Sequence, residues 1–118
     1  NYYFNQLSKV NYMSEQVQAS HILISHSNAP NSDKDMSNED ALEKITEIKE
    51  KLDSGESFSE LATQYSDCPS SQKGGDLGLF GKGAMVPTFD EAVFKLEVGE
   101  ISDVVETDFG FHLIHRTA

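Results

Sequence analysis

The sequence predicts an α+β fold, and three features carry that expectation. Short strand-like segments stand near both ends of the chain, segments of helical spacing are dispersed between them, and the last two strand-like segments are neighbours. The order is strand, helix, helix, loop-strand, helix, strand, strand. Regular βαβ units would alternate to the end, so this order argues against a wound parallel sheet. No internal repeat is visible. The 118 residues fit one domain, for which about 100–200 residues is usual, with a tail.

The tail comes first. Residues 1–12 (NYYFNQLSKVNY) show no convincing period, no long apolar core and no small-residue cleavage site, unlike a secretory signal. Met13 reads like a translation start just before the first strand. Residues 1–15 are therefore expected to be a flexible extension and residues 16–118 the folded domain.

Residues 17–24 (VQASHILI) are β-branched and partly alternating, as in a half-buried strand. Residues 25–38 (SHSNAPNSDKDMSN) form a loop by composition, longer than most connections. Ala41, Leu42, Ile45, Ile48 and Leu52 then recur at helical spacing up to Gly55, which suits the residue just past a helix end. Ser57 and Glu60 have capping-box form, with Phe58, Leu61, Ala62 and Tyr65 on one side of a second helix. Residues 66–87 are dense in Gly, Ser and Pro yet too apolar for a linker, so a structured loop around a short strand is expected. Thr88 and Glu91 repeat the capping pattern before a helix facing inward through Phe89, Ala92, Val93 and Leu96, with Gly99 after it. Residues 101–106 and 109–116 read as two strands around a turn at Thr107-Asp108.

Composition excludes several functions. Twenty Asp and Glu against nine Lys and Arg give a net charge of -11, which repels nucleic acid and anionic membranes alike. The longest apolar runs fall far short of the ~18 residues that suggest a membrane span. The single cysteine, Cys68, permits no internal disulfide and no cysteine-rich zinc framework, and favours a reducing compartment; with Met13 read as a start, a cytoplasmic location is expected, an exported one being the alternative.

Four residue groups could carry chemistry. His112 and His115 stand three apart in a strand, on opposite faces, so they cannot chelate one metal, and no metal site is expected. Cys68 with a histidine would suit a nucleophilic pair. However, Pro69 follows it and no helix start is placed to activate the thiol. His21 and His112 each sit within a predicted strand, where a lone histidine is ordinarily a satisfied core residue; two of them raise the expectation that they meet. Gly74–Gly78 (GGDLG) resembles a phosphate cradle only weakly, lacking the Lys-Ser/Thr of a P-loop.

Taken together, ASHILI (19–24), FSELATQYSDCPSSQKGGDLGLFGKGAMVPTFDEAVFKL (58–96 inclusive of its ends), VGEIS (98–102) and TDFGFHLI (107–114) resemble the parvulin family of peptidyl-prolyl cis/trans isomerases. The likeness runs from about residue 18 to residue 116. It implies a four-stranded antiparallel sheet surrounded by about four helices. It also implies that His21 and His112 lie side by side on central strands, that Thr107 hydrogen-bonds the pair, and that Cys68 faces the substrate amide. Leu77, Met85 and Phe89 would form a pocket for the proline ring, with Phe80 as a nearby wall. No cofactor is implied. The expected partners are proline-containing peptides and unfolded protein clients, met by a monomer.

One departure bears on substrate choice. The phospho-directed branch of that family carries a basic cluster in the loop after the first strand, whereas here His26 and Lys34 face Asp33 and Asp35. A doubly charged phosphate would find few donors there, so no phosphate dependence is expected. Two rival readings stay open: a peptide-holding module without turnover, and a cysteine hydrolase.

Overall fold

The computed structural model describes residues 16–29 and 34–118; the expected extension at 1–15 lies outside the described residues. The chain forms β1 (Gln16–Ile24), α1 (Asn38–Asp53), α2 (Phe58–Tyr65), a 3₁₀ helix (Pro69–Lys73), β2 (Asp76–Gly81), α3 (Pro87–Lys95), β3 (Val105–Thr107) and β4 (Gly110–Arg116). The four strands make one antiparallel sheet in the order β2-β1-β4-β3. The α+β expectation holds, with three α-helices and one 3₁₀ helix around the sheet among the described residues.

Period-two alternation divides β1 between two cores. Ile22 and Ile24 join Phe111 and Leu113 of β4 under α1 and α2, through Ile45, Ile48, Phe58 and Leu61. Val17, Ala19 and Ile114 face the other way, under Phe89 and Val93 of α3. His21 belongs to that second set, two residues beyond Ala19, and His112 lies two residues before Ile114. Within the ladder His21 pairs with Ile114 and Leu23 with His112. The two imidazoles are thus diagonal neighbours on the central strands.

Helix ends follow local chemistry. Ser37 caps α1 by accepting from the Asp40 amide at 3.1 Å, and Ser57 caps α2 by accepting from the Glu60 amide at 3.3 Å. After α1, Gly55 takes φ 103°, as expected of the residue past the cap. The expected capping box at Thr88 does not form. Val86 is the N-cap, and Pro87 opens α3 because its fixed φ and missing N–H suit the first turn. Leu42 points outward, one position off the stripe formed by Ala41, Ile45 and Ile48.

The expected strand over 101–106 is mostly absent. A single bridge joins Ile101 to His115, and β3 proper has three residues. Between them the Ser102 hydroxyl stands in for a ladder carbonyl, accepting from the Ile114 amide at 3.0 Å, while the Ser102 amide donates to the Ile114 carbonyl at 2.8 Å. The final turn also shifts by one residue: Thr107 pairs with Gly110, leaving Asp108 and Phe109 at its tip.

Gly75 explains the glycine-rich motif. Its φ is 86°, and a Cβ there would lie 2.4 Å from the His21 carbonyl oxygen and 3.0 Å from the Ala62 Cβ. The chain entering β2 passes so close to His21 that only glycine fits. The Gly75 carbonyl accepts from the His21 amide at 3.0 Å. The motif is a packing device that fixes the backbone of a site residue.

Candidate active site

On the α3 side the sheet is only half covered. Beyond Ala19 and Ile114 lies an open cleft of about 370 Å³. His21, Leu23 and His112 form its floor, from the two central strands. Leu77 comes from β2, Met85 and Val86 from the approach to α3, and Phe89 from α3 itself. Asp67, Cys68 and Pro69 arrive from the segment after α2, and Phe109 from the β3–β4 turn. Nearly all of this lining is carbon.

The imidazoles meet directly. His21 Nδ1 and His112 Nδ1 are 3.1 Å apart, and their rings stack with centroids at 5.3 Å and planes 21° apart. Phe89 meets both rings edge-on, at 5.5 and 5.4 Å. Thr107 Oγ1 lies 2.7 Å from His112 Nε2 and also accepts from the Phe109 amide at 3.2 Å. Thr107 therefore reaches the pair through His112 alone.

Burial sets the charge state. Loss of solvent lowers the His21 pKa to about 4; burial, with the neighbouring His21, lowers that of His112 to about 3. Both rings are neutral at pH 7. A short contact between two Nδ1 atoms then requires one to donate and the other to accept. If His21 donates, His112 carries its proton on Nε2 and gives it to Thr107. Only the His21 Nε2 lone pair, buried and without a partner, is then left over. The reverse assignment would bury an unpaired N–H, which native structures tolerate less readily.

Cys68 is half-buried and caps the 3₁₀ helix, its carbonyl accepting from the Ser71 amide at 2.9 Å. A helix start does follow the cysteine, contrary to the sequence expectation, although the Cys68 side chain makes no cap hydrogen bond to it. Among the described residues no imidazole is bonded to the thiol. The two Nδ1 atoms face each other, His112 Nε2 faces Thr107 and His21 Nε2 has no partner, so the pairing that activates a cysteine nucleophile is missing.

The structure brings seven of the eight expected site residues into one neighbourhood: six line the cleft, and Thr107 stands behind His112. Phe80 is the exception, and the wall expected of it is not part of the cleft. It pairs with Val17 across the β1–β2 ladder, packs edge-on against Phe94 at 6.5 Å, and is buried under α3. Val17 precedes His21 by four residues, about 13 Å along a strand, so Phe80 is core and no wall of the cleft. His115 is also separate, packing on the opposite face against Phe58 at 5.3 Å. Leu23, Asp67, Pro69, Val86 and Phe109 were not foreseen as lining. Leu23 alone left a readable signal, lying on the same alternating face as His21.

Comparison with known proteins decides the family. The family model of the PPIC-type PPIase domain matches residues 2–118. This chain belongs to the PPIC-type peptidyl-prolyl isomerase (parvulin) family. It is 48% identical over 115 residues to peptidyl-prolyl cis-trans isomerase Pin1 of Arabidopsis thaliana, an alignment covering 88% of this chain and 97% of that protein. It is 58% identical over 72 residues to foldase protein PrsA of Geobacillus kaustophilus, covering 60% of this chain and 26% of that longer one. Among solved structures, the peptidyl-prolyl isomerase ESS1 from Candida albicans superposes with a TM-score of 0.84 at 33% identity, covering all (100%) of this chain and 74% of that one. The parvulin domain thus acts as a peptidyl-prolyl cis/trans isomerase.

Proposed function

We propose that this isomerase turns Xaa-Pro bonds without covalent chemistry and without need of a phosphorylated residue, serving flexible or unfolded polypeptides as a monomer. The observation that carries the reading is the apolar cleft floored by a neutral imidazole pair. Rotation about the imide bond meets a barrier of ~18–20 kcal/mol because amide resonance is lost. The half-turned bond is less polar than the planar one. A cleft that removes water from the carbonyl therefore disfavours the ground state more than the transition state. A rate enhancement of ~10³–10⁵ needs only ~4–7 kcal/mol of such preference.

In this reading Leu77, Met85 and Phe89 grip the pyrrolidine ring. Cys68 presents a polarisable sulfur to the turning carbonyl, and His21, His112 and Thr107 hold the floor rigid by bonding one another. Cys68→Ser is expected to retain measurable turnover, whereas a covalent mechanism demands near-total loss.

Phosphate independence is supported by charge. Lys34, in the loop after β1, is engaged by Asp67 at 2.6 Å, and Asp67 also accepts from the Ser25 amide at 2.9 Å while lining the cleft. An anionic side chain beside the proline would meet this carboxylate. Exchange NMR on paired Ala-Ser-Pro-Ala peptides, with and without phosphate on the serine, tests the point. Comparable kcat/KM is expected; a hundredfold gain on phosphorylation overturns it.

A further inference from the structure

We propose that Ser66 and Asp67 are positioning residues that hold Cys68 beside the histidine floor by acting as a two-residue substitute for a strand; this rests on Cys68 meeting the substrate carbonyl in the cleft. Strand β2 accompanies β1 only as far as Ser20, opposite Asp76, and its lead-in adds one more bond, from the His21 amide to the Gly75 carbonyl at 3.0 Å. In an antiparallel ladder alternate residues direct their backbone groups to one side. Leu23 and Ser25 come next on the side that β2 has left, and their amides need acceptors there. The segment after α2 supplies them. The Leu23 amide donates to Ser66 Oγ at 3.0 Å, the Asp67 amide donates to the Leu23 carbonyl at 2.7 Å, and the Ser25 amide donates to Asp67 Oδ2 at 2.9 Å. Two side-chain oxygens thus stand where strand carbonyls would be.

The same bonds fix the cysteine. Ser66 Oγ also accepts from the Cys68 amide at 3.4 Å, and the Cys68 carbonyl accepts from the Ser71 amide at 2.9 Å. The peptide groups on both sides of the thiol are therefore tied, one to β1 through Ser66 and one to the 3₁₀ helix. Asp67 is tied in turn, with Lys34 Nζ 2.6 Å from the same Oδ2. Both side chains of that ion pair are more than a quarter exposed, 28% and 29%, so it adds little to stability. What it fixes is direction: one oxygen receives two donors, and turning the carboxylate away from Ser25 breaks both bonds. A thiol that acts by contact with a turning carbonyl depends on such placement, since a shift of ~1 Å can cost up to ~10²-fold in rate.

The test measures kcat and KM on Ala-Ala-Pro-Ala by exchange NMR for Ser66→Ala and Asp67→Ala, each alone and combined with Cys68→Ala. Ser66 stands outside the cleft lining, so its removal reaches the substrate only through its neighbours. Each anchor variant is expected to lose about tenfold in kcat with KM within about twofold, and Cys68→Ala at least as much. Adding either anchor variant to Cys68→Ala should cost less than about twofold more, because both act through one sulfur. Ser66→Thr and Asp67→Asn keep an acceptor oxygen and should stay within about threefold of the parent. Asp67→Ala carries the test should Ser66→Ala fail to fold. Parental kcat in the anchor variants, a loss confined to KM, or a tenfold loss undiminished in the Cys68→Ala background would overturn the positioning role while leaving the part of Cys68 intact. Parental turnover in Cys68→Ala would overturn the part assigned to the sulfur, and this inference with it.

Discussion

The two faces of the sheet share the same central strands and differ in nearly everything else. On one face, Ile22, Ile24, Phe111 and Leu113 meet two helices and water is excluded along the strands. On the other, Val17, Ala19 and Ile114 are covered by α3, but the same alternation then delivers His21 and His112 to an open cleft. The covered face gains its full stability from packed hydrocarbon. The half-covered face holds two neutral imidazoles that mutual hydrogen bonding makes tolerable. Function occupies the half of the sheet where the core was left unfinished.

The largest expected effect belongs to the covered face. Ile45→Ala should lower unfolding free energy by about 2–5 kcal/mol in urea titrations, with kcat/KM under native conditions within about threefold of the parent. Equal losses of stability and activity would show that the faces are not separable. The histidine face should instead respond to acid. Because folding lowers both pKa values beneath the ordinary 6.5, the unfolded chain binds more protons between about pH 6.5 and pH 4. The pair's contribution is complete above pH 6.5 and is lost as pH falls, by up to about 1.4 kcal/mol per pH unit for each histidine. Denaturation midpoints of the parent against a His21→Phe, His112→Phe double variant should isolate this slope, which must be shallower in the variant.

Thr107→Val leaves His112 Nε2 without its partner and should cost about 1–3 kcal/mol. It should also change the imidazole ¹⁵N shifts of both rings, since the His21 tautomer is fixed through His112. A change confined to His112 would contradict that coupling. The smallest effect is expected at Leu79, 63% exposed on the edge strand β2. Leu79→Ser should alter stability by less than about 0.5 kcal/mol and leave exchange rates unchanged.

What could be read beforehand divides along the same line. Alternation in β1 and helical spacing in α1 are periodic signals spread over many residues, and both were legible. The histidine pair was suggested by two polar residues on strand faces and placed by the family likeness. Features set by a single local contact were not legible. Ser102 replaces a strand hydrogen bond with its hydroxyl, Val86 takes the cap that Thr88 was expected to serve, and the final turn slips by one residue. That slip carries Phe109 from the expected strand to the cleft rim. Phe80 failed for a related reason, since nearness in sequence to Leu77 says nothing of its ladder partner, Val17.

The measurement that bears most directly on the central claim is exchange NMR of an Ala-Ala-Pro-Ala peptide with the protein and with its Met85→Arg variant, whose long charged side chain would obstruct the apolar hollow. Accelerated cis/trans exchange with shift changes at Leu77, Met85, Phe89 and His112 is expected in the parent, and loss of both in a folded variant. Undiminished exchange in that variant, or acceleration without shifts at those residues, would place the chemistry elsewhere on the molecule.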